Sequence, residues 1–277
     1  MLSTGLSTAR GGKGQNQVVA AARAGAAASF IAAIGTDDFG AMTLAGLTAD
    51  GVDTSLVRRV ERPTGTALIA VDDHGENTII VESGANGALL GLSDQDASAL
   101  AAASVLVLQL EIPLETVTAA ARIARAAGTT VILNAAPIRD LPDELLSLLD
   151  VLVVNEHEAA ALSAARSAEV TGLLDLVPAV IVTLGAAGAV LHRRVLPEVA
   201  VPAPKVDAVD ATGAGDTFCG TLAAAVAEGR PLDESMRFAV VAASLSVEHA
   251  GAVPSIPHRA AIDERLAEPN STTRQDE

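Results

Sequence analysis

The chain is most constrained by the stretch Val209-Asp210-Ala211-Thr212-Gly213-Ala214-Gly215-Asp216-Thr217-Phe218, in which two carboxylates six residues apart bracket a turn of small residues. An apolar run, Leu222–Ala227, follows this turn, and Gly229 then precedes Pro231. A glycine turn before an apolar run and a glycine after it predict a helix from about Gly213 to Glu228. The stretch therefore places a glycine-rich helix start between two aspartates.

The first turn of this predicted helix has the features of an anion site. The backbone N–H groups of Gly213, Ala214, Gly215 and Asp216 would lack partners within the helix, and the helix dipole favours negative charge there. Glycine lets a phosphate approach the backbone closely, because no Cβ stands in the way. Asp216 would then lie beside the anion, where a carboxylate suits a base that deprotonates an attacking hydroxyl. An N-terminal cap with a packing turn is the alternative, but the spacing of the motif favours the functional interpretation.

Apolar runs of strand length alternate with helical patterns along most of the chain. Pro113 near a first turn and Gly128 just beyond the last predict a helix over Ile112–Ala127. Continuous apolar strands between helices predict an α/β fold, with a mainly parallel central sheet and helices on both of its faces. The predicted strands are Ser29–Ile34, Val105–Leu108, Thr130–Leu133, Val151–Val153, Val180–Thr183 and Ala189–His192.

One section departs from this alternation. Thr66–Val71 and Asn77–Glu82 have alternating side chains and flank the polar stretch 72–76, which predicts a hairpin. Residues 1–268 are expected to form one domain, because a chain of this length and 50% hydrophobic content can bury one large core. The polar segment 269–277 is predicted to be a disordered tail.

Composition and charge exclude several classes of function. A formal net charge of −16 argues against a nucleic-acid partner, whose phosphates would be repelled. The single cysteine, Cys219, excludes an internal disulfide and fits a reducing compartment. Residues 1–10 lack the apolar core of a signal peptide, and no run of apolar residues is long enough to span a membrane. These observations predict a cytoplasmic protein with neither a nucleic-acid nor a membrane partner.

The common nucleotide-binding and zinc motifs are also missing. The only lysines, Lys13 and Lys205, precede Gly14 and Val206, so no Gly-Lys-Ser/Thr phosphate loop can form. Neither glycine-rich turn completes Gly-x-Gly-x-x-Gly, and the five histidines have no zinc-binding spacing. A nucleotide would therefore have to bind at the anion turn after Asp210.

The stretch around Asp216 resembles the second signature of the ribokinase family of carbohydrate kinases, also called the PfkB family. A loop near the start, Gly11–Gln17, is similar to the first signature of that family. The resemblance extends from Gly11 to Leu266 and implies a ribokinase-like fold with a small β lid over the sugar, built from strands at about 1–10 and 65–82. Four further segments match in the family's order, namely Gln109–Glu111, Leu133–Pro137, Asn155–Glu158 and Thr183–Gly188.

The resemblance implies an ATP-dependent sugar kinase that phosphorylates the primary hydroxyl of D-ribose to ribose 5-phosphate. Asp216 would be the general base, and Gly213, Ala214 and Gly215 would form the anion hole. Glu158 would help to organise hydrated Mg²⁺ on the nucleotide. The implied sugar-binding residues are Gly11, Gly12, Lys13, Asn16, Glu111 and Asp216, and the implied nucleotide-binding residues are Asn155, Thr183, Gly185, Gly188 and Gly215. From the residues alone, Asn155 and Glu158 also fit a helix cap and its neighbouring carboxylate.

A monovalent cation site is implied beside the anion turn. K⁺ there would fix the geometry of the anion hole without touching substrate. A polar loop that simply closes the preceding helix is the alternative. The implied K⁺ residues are Asp210, Thr212, Ser246, His249, Gly251 and Ser255. The resemblance also implies a homodimer that forms through the lid.

The start of the chain departs from the family pattern. Family members begin with a strand that carries an Asn-x-Asp motif well before the first glycine loop, whereas ten residues precede Gly11 here. Two explanations stay open: an N-terminal truncation of a working kinase, or a non-catalytic nucleotide-binding homologue that lost sugar binding. The first is expected, because every downstream catalytic position is present. A kinase for another sugar or for a nucleoside is a further alternative.

Overall fold

The computed structural model describes Gly5 and residues 7–71, 77–165 and 170–268. Within this part of the chain, no helix is long and apolar enough to cross a membrane. The strands are β1 (Ala32–Gly35), β2 (Val57–Val60), β3 (Thr66–Val71), β4 (Asn77–Glu82), β5 (Val105–Leu108), β6 (Thr130–Asn134), β7 (Val151–Asn155), β8 (Ala179–Thr183), β9 (Ala189–Arg193) and β10 (Leu196–Val201). The helices are α1 (Lys13–Arg23), α2 (Asp38–Ala49), α3 (Asp94–Ala102), α4 (Leu114–Ala127), α5 (Asp143–Ser147), α6 (Glu156–Ala164), α7 (Ala214–Ala227), α8 (Leu232–Ser246), α9 (Ala252–Ser255) and α10 (Arg259–Ala267).

A six-stranded sheet forms the centre of the molecule, in the order β10-β9-β8-β7-β6-β5. The strands β5 to β8 are parallel neighbours, whereas β9 runs antiparallel to β8 and β10 antiparallel to β9. The prediction of an α/β fold with a mainly parallel sheet is therefore confirmed. The prediction missed β2 and β10 and placed most other ends within two residues.

Both faces of this sheet are covered by helices. Along β6, Val131 and Leu133 pack into one core with α4, while Ile132 between them packs into the opposite core with α7 and α8. The strands β7 and β8 divide their side chains in the same way. Because successive side chains of a strand point to opposite faces, a continuous apolar strand needs two apolar layers, and the helices supply them.

The predicted strand Ser29–Ile34 is present only from Ala32 onward, as β1, and lies outside the central sheet. Ser29 makes only an isolated bridge to Asp53, and regular pairing begins at β1, which runs parallel to β2 in a separate two-stranded sheet. Ser29 and Asp53 thus pair at a single position, and continuous pairing of the two segments starts at Ala32 and Val57. The strand therefore does not extend the central sheet.

The predicted hairpin strands are present as β3 and β4, paired over their whole length. They form a two-stranded antiparallel ribbon apart from the central sheet, and Leu68 and Ile80 lie opposite each other with 60% and 63% of their surfaces exposed. The turn at 72–76 lies outside the described residues, as does the predicted tail 269–277. Gly5 and residues 7–10 form no strand, and residues 7–9 are exposed. The predicted lid strand at 1–10 is thus not found in the described part of the chain.

Glycine sets the close contact between α1 and α7. A Cβ at Gly220, one turn beyond Asp216 in α7, would lie 2.1 Å from the carbonyl oxygen of Gln17. Glycine inside a helix costs about 0.5–1 kcal/mol relative to alanine, so its presence here is explained by this approach of two backbones. The contact brings the start of α1 against the start of α7.

Candidate active site

The carboxyl ends of the parallel strands meet at one edge of the sheet, and the predicted site residues follow them. Glu111 comes three residues after β5, Asn155 is the last residue of β7, and Thr183 is the last residue of β8. Ligands of open α/β sheets bind outside this edge. The helix α7 packs against β5, which brings the turn before Asp216 to the same region.

Asp216 lies at the centre of this region, with 6% of its surface exposed. Its Oδ2 accepts a hydrogen bond from Nδ2 of Asn16 at 2.9 Å, and its Oδ1 accepts one from Nε2 of Gln17, also at 2.9 Å. The two glycine-rich signatures, 200 residues apart in the chain, therefore meet at one carboxylate. Oδ1 of Asn16 is buried without a hydrogen-bond partner, which leaves one acceptor for a ligand.

The electrostatic surroundings shift the pKa of Asp216 upward from its ordinary value. Burial is the main cause, because desolvation disfavours the charged form. The charge of Lys13 and the hydrogen bonds from Asn16 and Gln17 oppose this shift. A carboxylate with a raised pKa is a stronger base than a solvated aspartate, and general bases depend on such tuning.

The first glycine loop and Glu111 are in direct contact. The backbone N–H of Lys13 donates to Oε2 of Glu111 at 2.9 Å, and Gly12 adopts a φ of 95°, which favours glycine. Burial raises the pKa of Glu111, the Lys13 N–H and charge lower it, and the charge of Asp216 raises it again. Lys13, Asn16, Glu111 and Asp216 thus form one cluster, with Gly11 and Gly12 exposed beside it.

The anion turn is formed, with one difference from the prediction. Gly213 adopts the left-handed conformation at a φ of 78°, and the first helical hydrogen bond runs from the Thr217 N–H to its carbonyl at 2.8 Å. The Ala214 N–H was predicted to be unpaired, but it donates to the Ala211 carbonyl at 3.2 Å, because the residues before the helix close a tight turn. Gly215 faces open space, since a Cβ there would meet no atom within 4 Å.

Asn155 and Glu158 form a reciprocal capping box at the start of α6. The Glu158 N–H donates to the Asn155 side chain at 2.8 Å, and the Asn155 N–H donates to the Glu158 carboxylate at 2.9 Å. The helix-cap interpretation therefore describes both side chains in this structure. Glu158 is 8% exposed and has one carboxylate oxygen engaged, so its other oxygen could hold Mg²⁺ through water. No group of three or more metal-ligating His, Cys, Asp or Glu side chains occurs in the described ranges.

The glycines after β8 have different environments. Gly185 is exposed at a φ of 54°, and a Cβ there would meet nothing within 4 Å, so the backbone is open to a ligand. Gly188 is buried, and a Cβ there would lie 2.0 Å from the Val201 carbonyl oxygen. Gly188 thus permits the close approach of β10, which is a packing role. Thr183, the last residue of β8, donates from its Oγ1 to the Val154 carbonyl at 3.4 Å.

The predicted K⁺ residues are only partly brought together. Oδ1 of Asp210 accepts from the Thr212 N–H at 2.9 Å, and its Oδ2 accepts from the Gly251 N–H at 2.8 Å. Hydrogen bonding by the Thr212 side chain, the Gly251 N–H and the Thr212 N–H, in that order of effect, holds the pKa of Asp210 below its usual value. Elsewhere in the set, the Ser246 and Ser255 hydroxyls donate to local carbonyls at 2.9 Å, and His249 is exposed. Carboxylate and hydroxyl oxygens of these types are compatible with K⁺.

The structure adds residues that the sequence did not assign. Gln17 touches Asp216, and the side chain of Gln109 accepts a hydrogen bond from the Glu111 N–H. Gly220 was not singled out either, although a glycine inside an otherwise apolar helix is a signal of close packing. Cys219 is buried among apolar side chains, and this burial is the main reason why its pKa is raised.

The family model for pfkB family carbohydrate kinases matches residues 2–259. The chain therefore belongs to the pfkB family, a family of phosphotransferases that act on carbohydrates. It is 39% identical to the ribokinase of Schizosaccharomyces pombe, covering 94% of this chain and 87% of that one. It is 40% identical to the ribokinase of Haemophilus influenzae, covering 91% and 85%.

Solved structures agree with this assignment. The ribokinase of Thermotoga maritima superposes with a TM-score of 0.87 at 37% identity, over 93% of this chain and 88% of that one. The Arabidopsis thaliana ribokinase, solved in complex with ribose and ATP, gives a TM-score of 0.89 at 33% identity, over 94% and 88%. The predictions of family, fold and enzyme class are confirmed.

Proposed function

We propose that this protein transfers the γ-phosphoryl group of ATP to the primary hydroxyl of D-ribose, giving ribose 5-phosphate and ADP. The observation that carries the proposal is the meeting of the two signatures at Asp216, whose carboxylate is buried and held by Asn16 at 2.9 Å. The similarity to ribokinases over most of their length supports ribose as the acceptor and ATP as the donor.

In the proposed reaction, Asp216 accepts the proton of the sugar hydroxyl as its oxygen attacks the γ-phosphorus. A positioned general base contributes about 10²–10⁴-fold to the rate. Lys13, Asn16 and Glu111 hold the sugar hydroxyls, with the unpaired Asn16 Oδ1 as an acceptor and Gly11 and Gly12 lining the loop. The result is a sugar whose reacting oxygen lies between the base and the anion turn.

The transferring phosphoryl group lies at the anion turn, Gly213 to Gly215, where each N–H donor is worth about 3 kcal/mol in the transition state. Since the Ala214 N–H donates to the Ala211 carbonyl, the Gly213 and Gly215 N–H groups carry this role. Asn155, Thr183, Gly185 and Gly188 line the nucleotide side, with Gly188 acting through packing. Mg²⁺, when bound, would neutralise phosphate charge, and Glu158 would hold it through water.

We further propose a K⁺ site, a homodimer that forms through the lid, and a cytoplasmic location. K⁺ binds beside the anion turn at Asp210 and its neighbours and fixes the turn. The ribbon of β3 and β4 closes over the sugar, and its exposed apolar faces, including Leu68 and Ile80, pair two copies into a homodimer. A single reduced cysteine fits a cytoplasmic location.

A coupled assay of ADP release tests the substrate assignment. Ribose, deoxyribose, fructose and adenosine are compared at equal concentration, and ribose is expected to give the highest kcat/KM. The Asp216→Asn variant serves as the control for contaminating kinases. Turnover with another acceptor but not with ribose would show that the substrate assignment is wrong, while no turnover with any acceptor would favour the non-catalytic alternative.

A further inference from the structure

Gln17 is a side chain of the first signature, and the proposed reaction gives it no role. We propose that Gln17 is a positioning residue for the base. Its amide fixes the orientation of the Asp216 carboxylate by donating to Oδ1, while Asn16 donates to Oδ2 and binds the sugar. This inference rests on the proposed function, because it presumes that Asp216 is the base.

The different roles of the Asn16 and Gln17 side chains follow from their contacts. Both side chains donate to Asp216 at 2.9 Å, one to each oxygen. Asn16 keeps a buried acceptor, Oδ1, without a partner, so it has a free group for a ligand hydroxyl. Gln17 is 3% exposed, and its side-chain N–H donates to Asp216 of the protein itself. Gln17 therefore serves the protein rather than the ligand.

Two donors on two oxygens determine the plane of a carboxylate. With Asn16 alone, the Asp216 carboxylate could still rotate about its Cβ–Cγ bond while keeping one hydrogen bond. The second bond, from Gln17, removes that freedom. Proton transfer needs the accepting lone pair to face the hydroxyl at hydrogen-bond distance, so the orientation of the carboxylate matters directly for the rate.

The backbone of Gln17 is itself held in place. Its carbonyl oxygen lies where a Cβ of Gly220 would be only 2.1 Å away, so α1 and α7 touch at this residue. Gly220 is one helical turn from Asp216, on the same helix. Gln17 and Asp216 thus belong to α1 and α7, whose backbones are in close contact next to them. This contact fixes the distance between the Gln17 amide and the Asp216 carboxylate.

Gln17 also affects the protonation of the base. The charged and titratable groups around Asp216 are Lys13 on α1, Glu111 after β5 and Cys219 on α7. A hydrogen bond to the charged form of a carboxylate favours that form. Removing the Gln17 donor therefore raises the pKa of Asp216 further, and the acidic limb of the rate profile moves to higher pH.

The test compares Gln17→Met with Gln15→Met. Gln15 is a matched control, because it lies on the same helix and is 5% exposed, while the amide hydrogen bonds to Asp216 come from Asn16 and Gln17. For Gln17→Met we expect kcat to fall about 10–100-fold, the scale of a misplaced reacting group, with little change in the KM for ribose. The acidic limb of kcat/KM should move to higher pH. For Gln15→Met, kcat, the KM for ribose and the acidic limb should all match the wild type.

A direct readout does not depend on turnover. Carboxyl ¹³C NMR of aspartate-labelled protein gives the pKa of Asp216, assigned from the signal that is lost in Asp216→Asn. It should be higher in Gln17→Met than in the wild type and in Gln15→Met. If Gln17→Met fails to fold, Gln17→Asn replaces it, since the shorter side chain keeps a buried amide but withdraws it from Oδ1.

The outcomes separate this inference from the proposed function. If Asp216→Asn abolishes turnover while the Gln17 variants keep a wild-type kcat, acidic limb and Asp216 pKa, only the positioning role is overturned. If Asp216→Asn keeps near-normal turnover, the base assignment fails and the positioning role fails with it. Should another sugar prove to be the substrate, the same comparison is made with that sugar.

Discussion

The carbonyl oxygen of Gln17 lies against the Cα of Gly220, so closely that a Cβ at residue 220 would be 2.1 Å away. A contact under 3 Å to backbone cannot be relieved by a side-chain rotation, so one of the two helices would have to move. Since α1 carries Lys13, Asn16 and Gln17, and α7 carries Asp216, their separation sets the geometry of the site. The stability of the fold and the chemistry of the site therefore depend on the same pair of backbones.

Replacing Gly220 by alanine should destabilise the protein and also reduce its activity. Overpacking of this kind costs about 1–3 kcal/mol in the free energy of unfolding, even though alanine is the better helix former. Denaturant unfolding measures the first effect, and kcat/KM for the sugar, at a temperature where the variant is folded, measures the second. Gly87→Ala is the control, because its Cβ would meet only Ser83 Cβ at 3.8 Å. Equal behaviour of the two variants would contradict the close-contact role.

Most of the fold could be predicted from the sequence, since continuous apolar strands and helix-ending glycines are local signals. Val105–Leu108 and both strands of the ribbon were predicted at their observed bounds. The strand β10 was missed because Pro197 and Glu198 interrupt its pattern. It forms an edge of the sheet and has an irregular register between Leu196 and Val199, and an edge is where proline is tolerated.

The sequence predicted which residues form the site, but not which hydrogen bonds they make with one another. The motif spacing indicated Asp216, Lys13 and Asn16, whereas the hydrogen bond from Gln17 joins residues 199 positions apart. Which face of α1 meets α7 depends on packing, and no local pattern encodes it. The Ala211–Ala214 hydrogen bond was missed for a similar reason, because the glycine turn alone does not say how tightly the chain closes before the helix.

Activity should decline toward acidic pH, and the midpoint of this decline should lie above the ordinary pKa of an aspartate. The base must be deprotonated, burial raises the pKa of Asp216, and burial likewise raises that of Glu111. Both groups therefore gain protons at a higher pH than solvated carboxylates do, and activity is lost as pH falls through the raised values. The profile of kcat/KM against pH measures the limb, and Glu111→Gln separates the two groups. A rate that stays constant down to the usual aspartate pKa would contradict the role of a buried base.

Replacing Asp216 by asparagine should lower turnover by about 10²–10⁴-fold, the contribution of a positioned base. Nucleotide affinity should stay close to that of the wild type, because the amide keeps the size and polarity of the side chain at the turn. Single-turnover kinetics give the first quantity and calorimetric titration with ADP gives the second. Circular dichroism checks that the variant is folded. A folded Asp216→Asn variant with nearly normal turnover would exclude the base role.

Activity should rise with K⁺ if a monovalent cation binds beside the anion turn. Asp210 accepts hydrogen bonds from the Thr212 N–H at 2.9 Å and from the Gly251 N–H at 2.8 Å. Its carboxylate therefore already connects the turn to the loop before α9. The Cβ of Ala252 in that helix lies 3.1 Å from where a Cβ of Gly213 would be, which shows how closely the two segments approach. A cation held by oxygens of this loop would stiffen the turn whose N–H groups face the phosphoryl group.

The measurement is the initial rate against KCl, with tetramethylammonium chloride keeping the ionic strength constant, so that site binding is separated from screening. A saturable increase is expected for the wild type and a much weaker one for Asp210→Asn, whose neutral side chain attracts a cation less. A rate that does not change with KCl at constant ionic strength would contradict the cation site. Asp210 would then be a structural residue that joins the turn to Gly251, because its two hydrogen bonds need no cation to form.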